Sequence, residues 1–345
     1  IDAGTLQVGN GGTSGSIASD VIDNGALAFD RSDAVSFAGA ASGTGSLNQI
    51  GTGTTTLTGS NTYTGGTTIS AGTLQIGNGG TSGSIVGDVI DNGALSFNRS
   101  DAVSFAGVIS GSGSLTQTGS GLLVLDGSNT YSGGTTVANG TLLVGDSTHT
   151  GASIAGNVSV DSGATLGGHG TIGGNVDVAS GAHLSPGGSI GTLTIGGNAT
   201  FAQGTVLDYE FGAPGASFQT AGTGDSVHVG GNLTLDGAML IVTDVGGMGP
   251  GLYNVFTYGG SLSESNGGLA LGTTPASQTV QLQNLTAQKQ INLIDTTGLT
   301  LNFWNANGQA SATQMGGGSG NWTTASPSWT DATGSVTAVM QPQPG

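Results

Sequence analysis

Cysteine is absent from this sequence of 345 residues, and basic side chains are nearly so. Without cysteine the chain has no disulfide bond and no thiolate metal ligand. The only basic residues are Arg31, Arg99 and Lys289, against 20 acidic residues, so the formal net charge is −17. Nucleic acids and anionic lipids are bound through clusters of basic side chains. The composition therefore argues against binding to either.

Long hydrophobic runs are missing as well. No segment approaches the roughly 20 apolar residues that a membrane-spanning helix needs, so direct membrane insertion of this segment is not expected. The N-terminus, IDAGTLQVG, shows no charged region followed by an apolar run, and it begins at a position equivalent to Ile69 inside a repeat. We therefore expect the sequence to be an excerpt of a longer chain.

Glycine is the most conspicuous residue that is present, with 70 copies, whereas charged residues make up only 7%. The scarcity of Lys, Glu and Arg counts against long helices. The apolar residues recur at regular spacings, which a disordered chain does not require. These features favour an all-β structure with a long, thin core.

A sequence of 68 residues occurs twice. Residues 1–68 and 69–136 agree, without a gap, at 51 of 68 positions. Gly-x-Leu triplets subdivide the copies at spacings of 21, 20, 27, 21, 20 and 27 residues; they end at Leu6, Leu27, Leu47, Leu74, Leu95, Leu115 and Leu142. We interpret each long repeat as three coils, of which the third carries about seven extra residues.

Apolar residues alternate around these triplets, as in Leu6 and Val8 or Leu27 and Phe29. Alternation with period 2 places such side chains on one face of a strand. Units of this length with short strands are typical of a parallel β-helix, in which each coil buries its apolar side chains against its neighbours. At roughly 22 residues per coil the chain is expected to form about 15 coils and a rod of about 70 Å.

The pattern changes along the chain and predicts three regions. Residues 1–136 are the two tandem repeats, and residues 298–345 form a separate segment that contains all three Trp residues and resembles the start of a further repeat block. Between them, 137–297 is interpreted as continued, less regular coils. In that region the motif Gly-Asn-x-x-x recurs at 156–160, 174–178, 197–201 and 231–235.

The seven extra residues of the third unit fall near Ser60–Gly66 and again near Ser128–Gly134. We expect them to form loops that project from the rod. Exposed polar and aromatic residues there could anchor a partner or stack on sugars; the alternative is that each tyrosine covers the end of its local core. The candidate partner-contact residues are Asn61, Tyr63, Asn129 and Tyr131.

Two segments, Leu57–Gly77 and Leu125–Gly145, resemble the passenger-associated β-strand repeat of bacterial autotransporters. In that family the block reads L-x-G-x-N-T-Y-[TS]-G-G-T-T-[IV]-x-x-G-T-L-x-[IV]-G, and both segments are nearly complete. The sequence LSPGGSIGTL at Leu184–Leu193 resembles a second block found toward the C-terminal side of such passengers, with Gly188 where Asn is common.

The resemblance implies a right-handed parallel β-helix passenger. It also implies type V secretion, in which the protein's own C-terminal β-barrel translocator exports the passenger through the outer membrane to the cell surface. The barrel is expected outside this sequence. Passengers of this family include adhesins, enzymes and scaffolds, so the resemblance does not define an activity.

Repeated acidic residues are the main candidates for chemistry. Asp20, Asp23 and Asp33 recur as Asp88, Asp91 and Asp101, while Asp30 becomes Asn98; Arg31 and Arg99 lie next to the last Asp of each set. One interpretation is a saccharide or Ca²⁺ site. The other is turn residues with a local Arg–Asp pair, and it is favoured because an active site is usually unique whereas these groups are copied.

Other motifs give little support to catalysis or cofactor binding. GNGGTSGSI lacks the Asp of calcium-binding β-roll repeats, and no phosphate-binding loop or nucleophile elbow occurs. The threonines of Thr52–Thr58 do not recur on every coil, as an ice-binding array would require, and β-propensity explains them. The four histidines, His149, His169, His183 and His228, show no zinc-site spacing. We predict no catalytic residue, cofactor or metal.

The sequence thus favours a non-enzymatic structural or adhesive stalk in an autotransporter passenger. Host surfaces, glycans and other copies of the chain are the expected partners, the last because the open ends of a solenoid expose unpaired strands. The alternative is a carbohydrate-active β-helix enzyme, a polysaccharide lyase or hydrolase, whose catalytic groups lie outside the excerpt or across neighbouring coils.

Overall fold

The computed structural model describes residues 1–299 and three short strands at 303–304, 329–330 and 337–338. In that part of the chain all regular structure is strand, which confirms the all-β prediction. No helix among the described residues is long and apolar enough to cross a membrane. The predicted Trp-containing segment at 298–345 lies mainly outside the described residues.

The strands are short in the repeats and longer toward residue 299. The first copy contributes β1 (Thr5–Val8), β2 (Val21–Ile22), β3 (Ala26–Phe29), β4 (Val35–Phe37), β5 (Ala41–Ser42), β6 (Ser46–Gln49), β7 (Thr54–Leu57) and β8 (Thr67–Ile69). The second contributes β9 (Thr73–Ile76), β10 (Val89–Asp91), β11 (Ala94–Phe97), β12 (Val103–Phe105), β13 (Ile109–Ser110), β14 (Ser114–Gln117), β15 (Leu122–Leu125), β16 (Ser128–Asn129) and β17 (Thr135–Val137).

The stack of strands continues past residue 136 without interruption. It comprises β18 (Thr141–Val144), β19 (Ser153–Ile154), β20 (Val158–Val160), β21 (Thr165–Gly168), β22 (Thr171–Ile172), β23 (Val176–Val178), β24 (His183–Pro186), β25 (Thr192–Ile195), β26 (Ala199–Phe201), β27 (Val206–Phe211), β28 (Ser226–Val229), β29 (Leu233–Asp244), β30 (Gly251–Tyr258) and β31 (Leu262–Leu271). After it come β32 (Val280–Leu285), β33 (Gln290–Asp295), β34 (Phe303–Trp304), β35 (Trp329–Thr330) and β36 (Thr337–Ala338).

Parallel pairing between successive turns stacks the strands into three columns, which form the sides of a β-solenoid. The first column contains β1, β3, β6, β8, β10 and β13 and continues through β16, β19, β22, β25, β28 and β30. The second contains β4, β7, β9, β11, β14, β17, β20, β23 and β26. The third contains β2, β5, β12, β15, β18, β21, β24 and β27, and the long strands β29 and β31 run from the second column into the third.

The described rod has about ten turns, because eleven strands follow one another in the second column from β4 to β31. The predicted figure of about 15 was too high. Later turns are longer, since Ala199 pairs with Leu233, and beyond β31 the chain stops coiling: β33 pairs antiparallel with both β30 and β32. Ten steps of about 4.8 Å give a stack of about 48 Å.

Each 68-residue repeat occupies three turns and one further side of the solenoid. Leu47 pairs with Thr67, so the turn that follows Leu47 has the ordinary length of about 20 residues. The next side runs from Thr67 to Leu74, because Leu74 pairs with Thr55 in the second column and not with Leu47 in the first. The interpretation of the 27-residue unit as one long coil was therefore wrong. It is an ordinary coil plus one extra side.

The extra side makes equivalent residues of the two copies face different directions. Leu27 lies in the first column, and its counterpart Leu95 lies in the second. Val35 lies in the second column, and its counterpart Val103 lies in the third. Each repeat therefore turns the sequence pattern by one side about the axis of the rod.

The core is a continuous stack of inward side chains. Fully buried leucines recur in both copies, among them Leu27, Leu47, Leu74, Leu95 and Leu115. Each buried leucine contributes about 1.5–3 kcal/mol, but only once the next turn covers it. Aromatic pairs recur too: the ring centres are 5.7 Å apart in Phe29–Phe37 and 5.8 Å apart in Phe97–Phe105.

An asparagine ladder replaces the exact repeat in the later coils. The side-chain oxygen of Asn157 accepts a hydrogen bond from the backbone N–H of Asn175 at 2.8 Å. Asn175, Asn198 and Asn232 each accept from the next turn in the same way, at 2.8–2.9 Å. The recurring Gly-Asn-x-x-x motif is therefore a corner of the solenoid, where each asparagine satisfies an N–H of the following coil.

Candidate functional site

Three similar loops leave the solenoid, at Gly9–Gly15, Gly77–Gly83 and Gly145–Gly151, and most of their residues are exposed. The first loop bonds to Asp30, between the first and second columns. The second bonds to Asn98, between the second and third columns. The third lies between the third and first columns. The one-side rotation of each repeat thus places one loop at each of the three corners.

Arg31 and Arg99 hold the first two loops against the following turn. Each guanidinium donates from Nη1 to a backbone carbonyl at the end of its loop. Each also donates from Nε to a neighbouring carboxylate, Asp33 or Asp101, at 2.9 Å. These bonds hold the pKa of both carboxyl groups below its usual range. The local Arg–Asp pairs favoured from the sequence are present, and they fasten the loops.

The other repeated carboxylates do not converge with these pairs. Asp20 and Asp88 each accept a hydrogen bond from a backbone N–H of the next turn at 2.8 Å. Asp23 and Asp91 are buried. The acidic residues of one copy therefore occupy separate environments, and among the described residues they do not form the saccharide or Ca²⁺ site that their spacing allowed.

Asn61 and Asn129 lie inside the solenoid, where they bridge three turns. The Oδ1 atom of Asn61 accepts from the backbone N–H of Ala41 at 2.9 Å, and its Nδ2 donates to the carbonyls of Gly59 at 3.1 Å and Ser84 at 2.9 Å. Asn129 makes the same three bonds, at 2.9, 2.9 and 3.1 Å. These side chains replace backbone pairing where the strand is interrupted.

Tyr63 and Tyr131 are fully buried as well. Their hydroxyl groups bond to Thr67 at 2.7 Å and to Thr135 at 2.5 Å, and burial raises both pKa values. The expectation that these segments project from the rod was wrong, because Tyr63 and Tyr131 lie within turns of ordinary length and the extra residues form the side that follows, from Thr67 to Leu74 in the first copy. The structure contradicts the exposure on which the partner-contact prediction for both asparagines and both tyrosines depended.

Buried carboxylates are a feature that the sequence analysis missed. Asp91 accepts from the backbone N–H of Gly93 at 2.9 Å, and a Cβ atom on Gly113 would lie 2.3 Å from its carboxyl carbon. Burial raises the pKa of Asp91 to about 6. Asp225 accepts two backbone N–H bonds of 2.8 Å, yet burial raises its pKa to about 7. No motif distinguishes these residues from turn aspartates.

Two histidines lie against carboxylates, although the sequence showed no zinc-site spacing. His183 Nδ1 is 2.6 Å from Asp208 Oδ2. His149 Nδ1 is 2.9 Å from Asp146 Oδ1 and 3.4 Å from Asp126 Oδ1. The pairs with Asp208 and Asp126 join neighbouring turns, so residue spacing alone does not reveal them. The cluster at His149 is the group of described residues whose atoms could hold a metal ion.

Comparison with known proteins gives two findings. The Passenger-associated-transport-repeat family matches residues 47–76 and 115–144. The Adhesin BmaC autotransporter of Brucella suis biovar 1 (strain 1330) is 41% identical over 287 residues, which cover 73% of this chain and 8% of that protein. The chain thus spans under a tenth of the length of this relative. Together with the parallel solenoid, these matches show that the chain carries passenger-associated-transport repeats and is similar over most of its length to part of an autotransporter.

Proposed function

We propose that this segment is a non-enzymatic adhesive stalk of an autotransporter passenger at the bacterial cell surface. The observation that carries the proposal is the uninterrupted stack of parallel turns from β1 to β31. The repeated polar residues within it bond to the backbone or to each other, so their role is to stabilise the solenoid. The similarity to a protein named as an adhesin supports the adhesive part.

The proposal includes export through the outer membrane by the protein's own C-terminal β-barrel translocator. The matches to transport repeats and to an autotransporter support this route. Two properties of the chain suit it. The absence of cysteine means that no disulfide has to be opened before passage, and each turn contacts only its neighbours, so the rod can fold progressively as the chain emerges.

The surface proposed for partner contact is the set of three corner loops and the strand faces between them. Because the loops lie at three different corners, a rod in any rotational orientation presents at least one loop to an opposing surface. The first two loops carry Gly, Asn, Ser and Thr, and the third carries Asp146 and His149 among Gly, Ser and Thr; none of them contains lysine or arginine. This chemistry suits hydrogen bonding to host-surface glycans or to another copy of the rod, and not binding to polyanions.

The test is to display the chain on a laboratory Gram-negative host, between a signal peptide and an autotransporter translocator. We expect the chain to become accessible to antibody and protease on intact cells and to increase attachment of these cells to epithelial monolayers. Attachment should be unchanged by replacement of the repeated aspartates Asp20 and Asp88 with Asn, since these residues bond to the backbone of the next turn.

The necessary control is the same translocator without the passenger, at an equal surface level measured by an epitope tag. If the displayed chain reached the surface but attached no better than this control, the adhesive function would be refuted while export would stand. If the chain remained in the periplasm with a functional translocator, the proposed export route would be refuted instead.

A further inference from the structure

The third corner loop differs in chemistry from the other two. It folds over the corner that follows β15, where Asp126 lies one turn earlier in the stack. Asp146 and His149 come from the loop itself. One atom from each of these three side chains lies within 4.8 Å of the other two. Asp146 is fixed by the loop, because its Oδ1 accepts from the backbone N–H of Thr148 at 2.8 Å and of His149 at 2.9 Å.

Asp126 supplies an independent reason to expect a cation. Its side chain is only 5% exposed. Oδ2 accepts a hydrogen bond of 2.5 Å from Ser104, but Oδ1 is buried without any hydrogen-bond partner among the described residues. A buried carboxylate oxygen without a donor is costly. This atom is the one that points to His149, 3.4 Å away.

No basic side chain compensates this charge. The chain has three lysines and arginines in total. Arg31 is paired with Asp33, Arg99 is paired with Asp101, and Lys289 donates to the carbonyl of Gly259. The two carboxylates of the cluster carry two negative charges, which a divalent cation would balance.

The three residues also depart together from the repeat. Thr58 occupies the position of Asp126 in the first copy, and Asn78 occupies the position of Asp146 in the preceding loop. The loop sequence GNGGTSGSI, which occurs twice, becomes GDSTHTGASI at 145–154 and so gains a histidine. The residues around them, such as Leu125 and Gly127, keep the identities of the earlier copy. Among the described residues this cluster is therefore not repeated, unlike the duplicated acidic residues.

The geometry suits a small transition-metal ion. In a tetrahedral site with bonds of about 2.1 Å, neighbouring ligand atoms lie about 3.4 Å apart. The two separations from His149 Nδ1 are 2.9 and 3.4 Å. One imidazole nitrogen and two carboxylate oxygens are ligands of Zn²⁺ and similar ions, whereas Ca²⁺ prefers oxygen alone. The half-exposed His149 side chain leaves room for water to complete the coordination.

We propose that Asp126, Asp146 and His149 form a divalent transition-metal site of the zinc type, which staples the third corner loop to the preceding turn. Ser104 holds Asp126 in position from the far side. The bound ion would restrain a loop that otherwise depends on local hydrogen bonds, and it would place a metal centre at the surface of the passenger.

The test is isothermal titration of the 345-residue chain with ZnCl₂ at neutral pH, repeated with CaCl₂. Three variants carry residues that the earlier copies already tolerate or that resemble them: Asp126→Thr, Asp146→Asn and His149→Thr. The control is His183→Gln, which removes the other histidine–carboxylate contact. Circular dichroism and thermal melting without metal report whether each variant is folded.

We expect one Zn²⁺ per chain, at least tenfold weaker binding in each of the three variants, unchanged binding in His183→Gln, and weaker binding of Ca²⁺ than of Zn²⁺. Zn²⁺ should also protect the loop at 145–151 from proteolysis in the wild type and not in His149→Thr. The site is overturned if the chain binds no Zn²⁺, if His149→Thr binds it as tightly as the wild type, or if His183→Gln loses it. Tighter binding of Ca²⁺ would overturn the zinc-type assignment.

Discussion

The two copies of the 68-residue repeat are nearly the same sequence in different places on the rod. Leu27 and Leu95 are both fully buried, and the aromatic pairs beside them have almost the same spacing, yet the two leucines belong to different columns. The comparison teaches that a coil is defined by its contacts with the turns directly above and below. Which side of the solenoid it occupies makes no difference to those contacts.

The repeats and the later coils differ in how asparagine side chains satisfy unpaired backbone groups. In the repeats an interior asparagine such as Asn61 bridges the turns before and after it. Between 157 and 261, exposed asparagines at a corner of the solenoid form a ladder, in which each side chain accepts one hydrogen bond from the next turn. Both arrangements use the side-chain amide to satisfy backbone groups that a short strand leaves unpaired. The regular repeat is therefore one way among others to build the rod.

The largest expected effect tests whether the two copies are energetically equivalent. Tyr63→Ala and Tyr131→Ala each empty a fully buried position, and removal of a buried aromatic side chain costs about 3–5 kcal/mol. We expect the two variants to lower the free energy of unfolding by similar amounts in urea denaturation, followed by circular dichroism. A difference above about 2 kcal/mol would show that the column matters, contrary to the equivalence of the copies.

The interior asparagines should have a smaller, matched effect. Asn61→Ala and Asn129→Ala each remove one acceptor and one donor amide that together satisfy three backbone groups. Each unsatisfied buried group costs about 1–3 kcal/mol, and partial relaxation should leave a loss of about 2–3 kcal/mol. The control is Asn78→Ala in an exposed loop, which should change little. If Asn78→Ala cost as much, the bridges would not be the cause.

Asp91 predicts a pH dependence with a defined sign. Its folded pKa is raised to about 6 by burial, so the folded state binds the proton more tightly than the unfolded state. Its contribution to stability is fully present below about pH 4 and is lost as pH rises through about 6. The variant Asp91→Asn has no carboxyl group to ionise and does not suffer this loss. The stability of the variant minus that of the wild type should therefore be higher at pH 8 than at pH 4, measured by urea denaturation at both values.

A substitution at Asp101 is the matched control, and its effect on stability should change with pH in the opposite direction. Asp101 is paired with Arg99, which lowers its pKa, so its contribution is present above its usual pKa and is lost as pH falls. Asp101→Asn should therefore lose more stability relative to the wild type at pH 8 than at about pH 3, and the difference should be small, because the pair is exposed to solvent. The same direction of change in both variants would contradict the assignment of Asp91 as the buried acid.

The last prediction concerns the one-side rotation between the two repeats, and the substitutions that test it should have the smallest effect on stability. The absence of native cysteine allows spin labels at exposed positions. Ile22 and Val86 are linked through successive pairings in the third column, three turns apart, whereas Ile90 is the repeat counterpart of Ile22 and lies in the first column. All three side chains are at least 40% exposed.

Three turns separate the labels at positions 22 and 86 by about 14 Å along the axis. The four residues from 86 to 90 add a sideways displacement of up to about 13 Å. The distance from 22 to 90, measured by electron paramagnetic resonance, should therefore exceed the distance from 22 to 86 by about 5 Å. Equal distances, or a shorter 22–90 distance, would mean that the copies stack directly over each other.

Much of the fold follows from local pattern. The alternation at Leu27 and Phe29, the Gly-x-Leu triplets and the abundance of turn residues predict short strands stacked in parallel, and that is what forms. The Arg–Asp pairs are also predictable, because the partners are two residues apart. The prediction of projecting loops near Ser60–Gly66 and Ser128–Gly134 failed for a physical reason. A stretch of seven extra residues fits a loop and a side of the solenoid equally well, and only pairing with the previous turn distinguishes them.

The sequence by itself determined the class of structure, the approximate length of a turn and the kinship with passenger-associated-transport repeats, since all of these depend on spacings along the chain. Only the tertiary structure decided which residues meet across turns. It buried Tyr63 and Tyr131, rotated each repeat by one side, and brought Asp126 within 3.4 Å of His149. The reason is that contacts between turns depend on the accumulated length of every turn, so one extra side redirects all that follow.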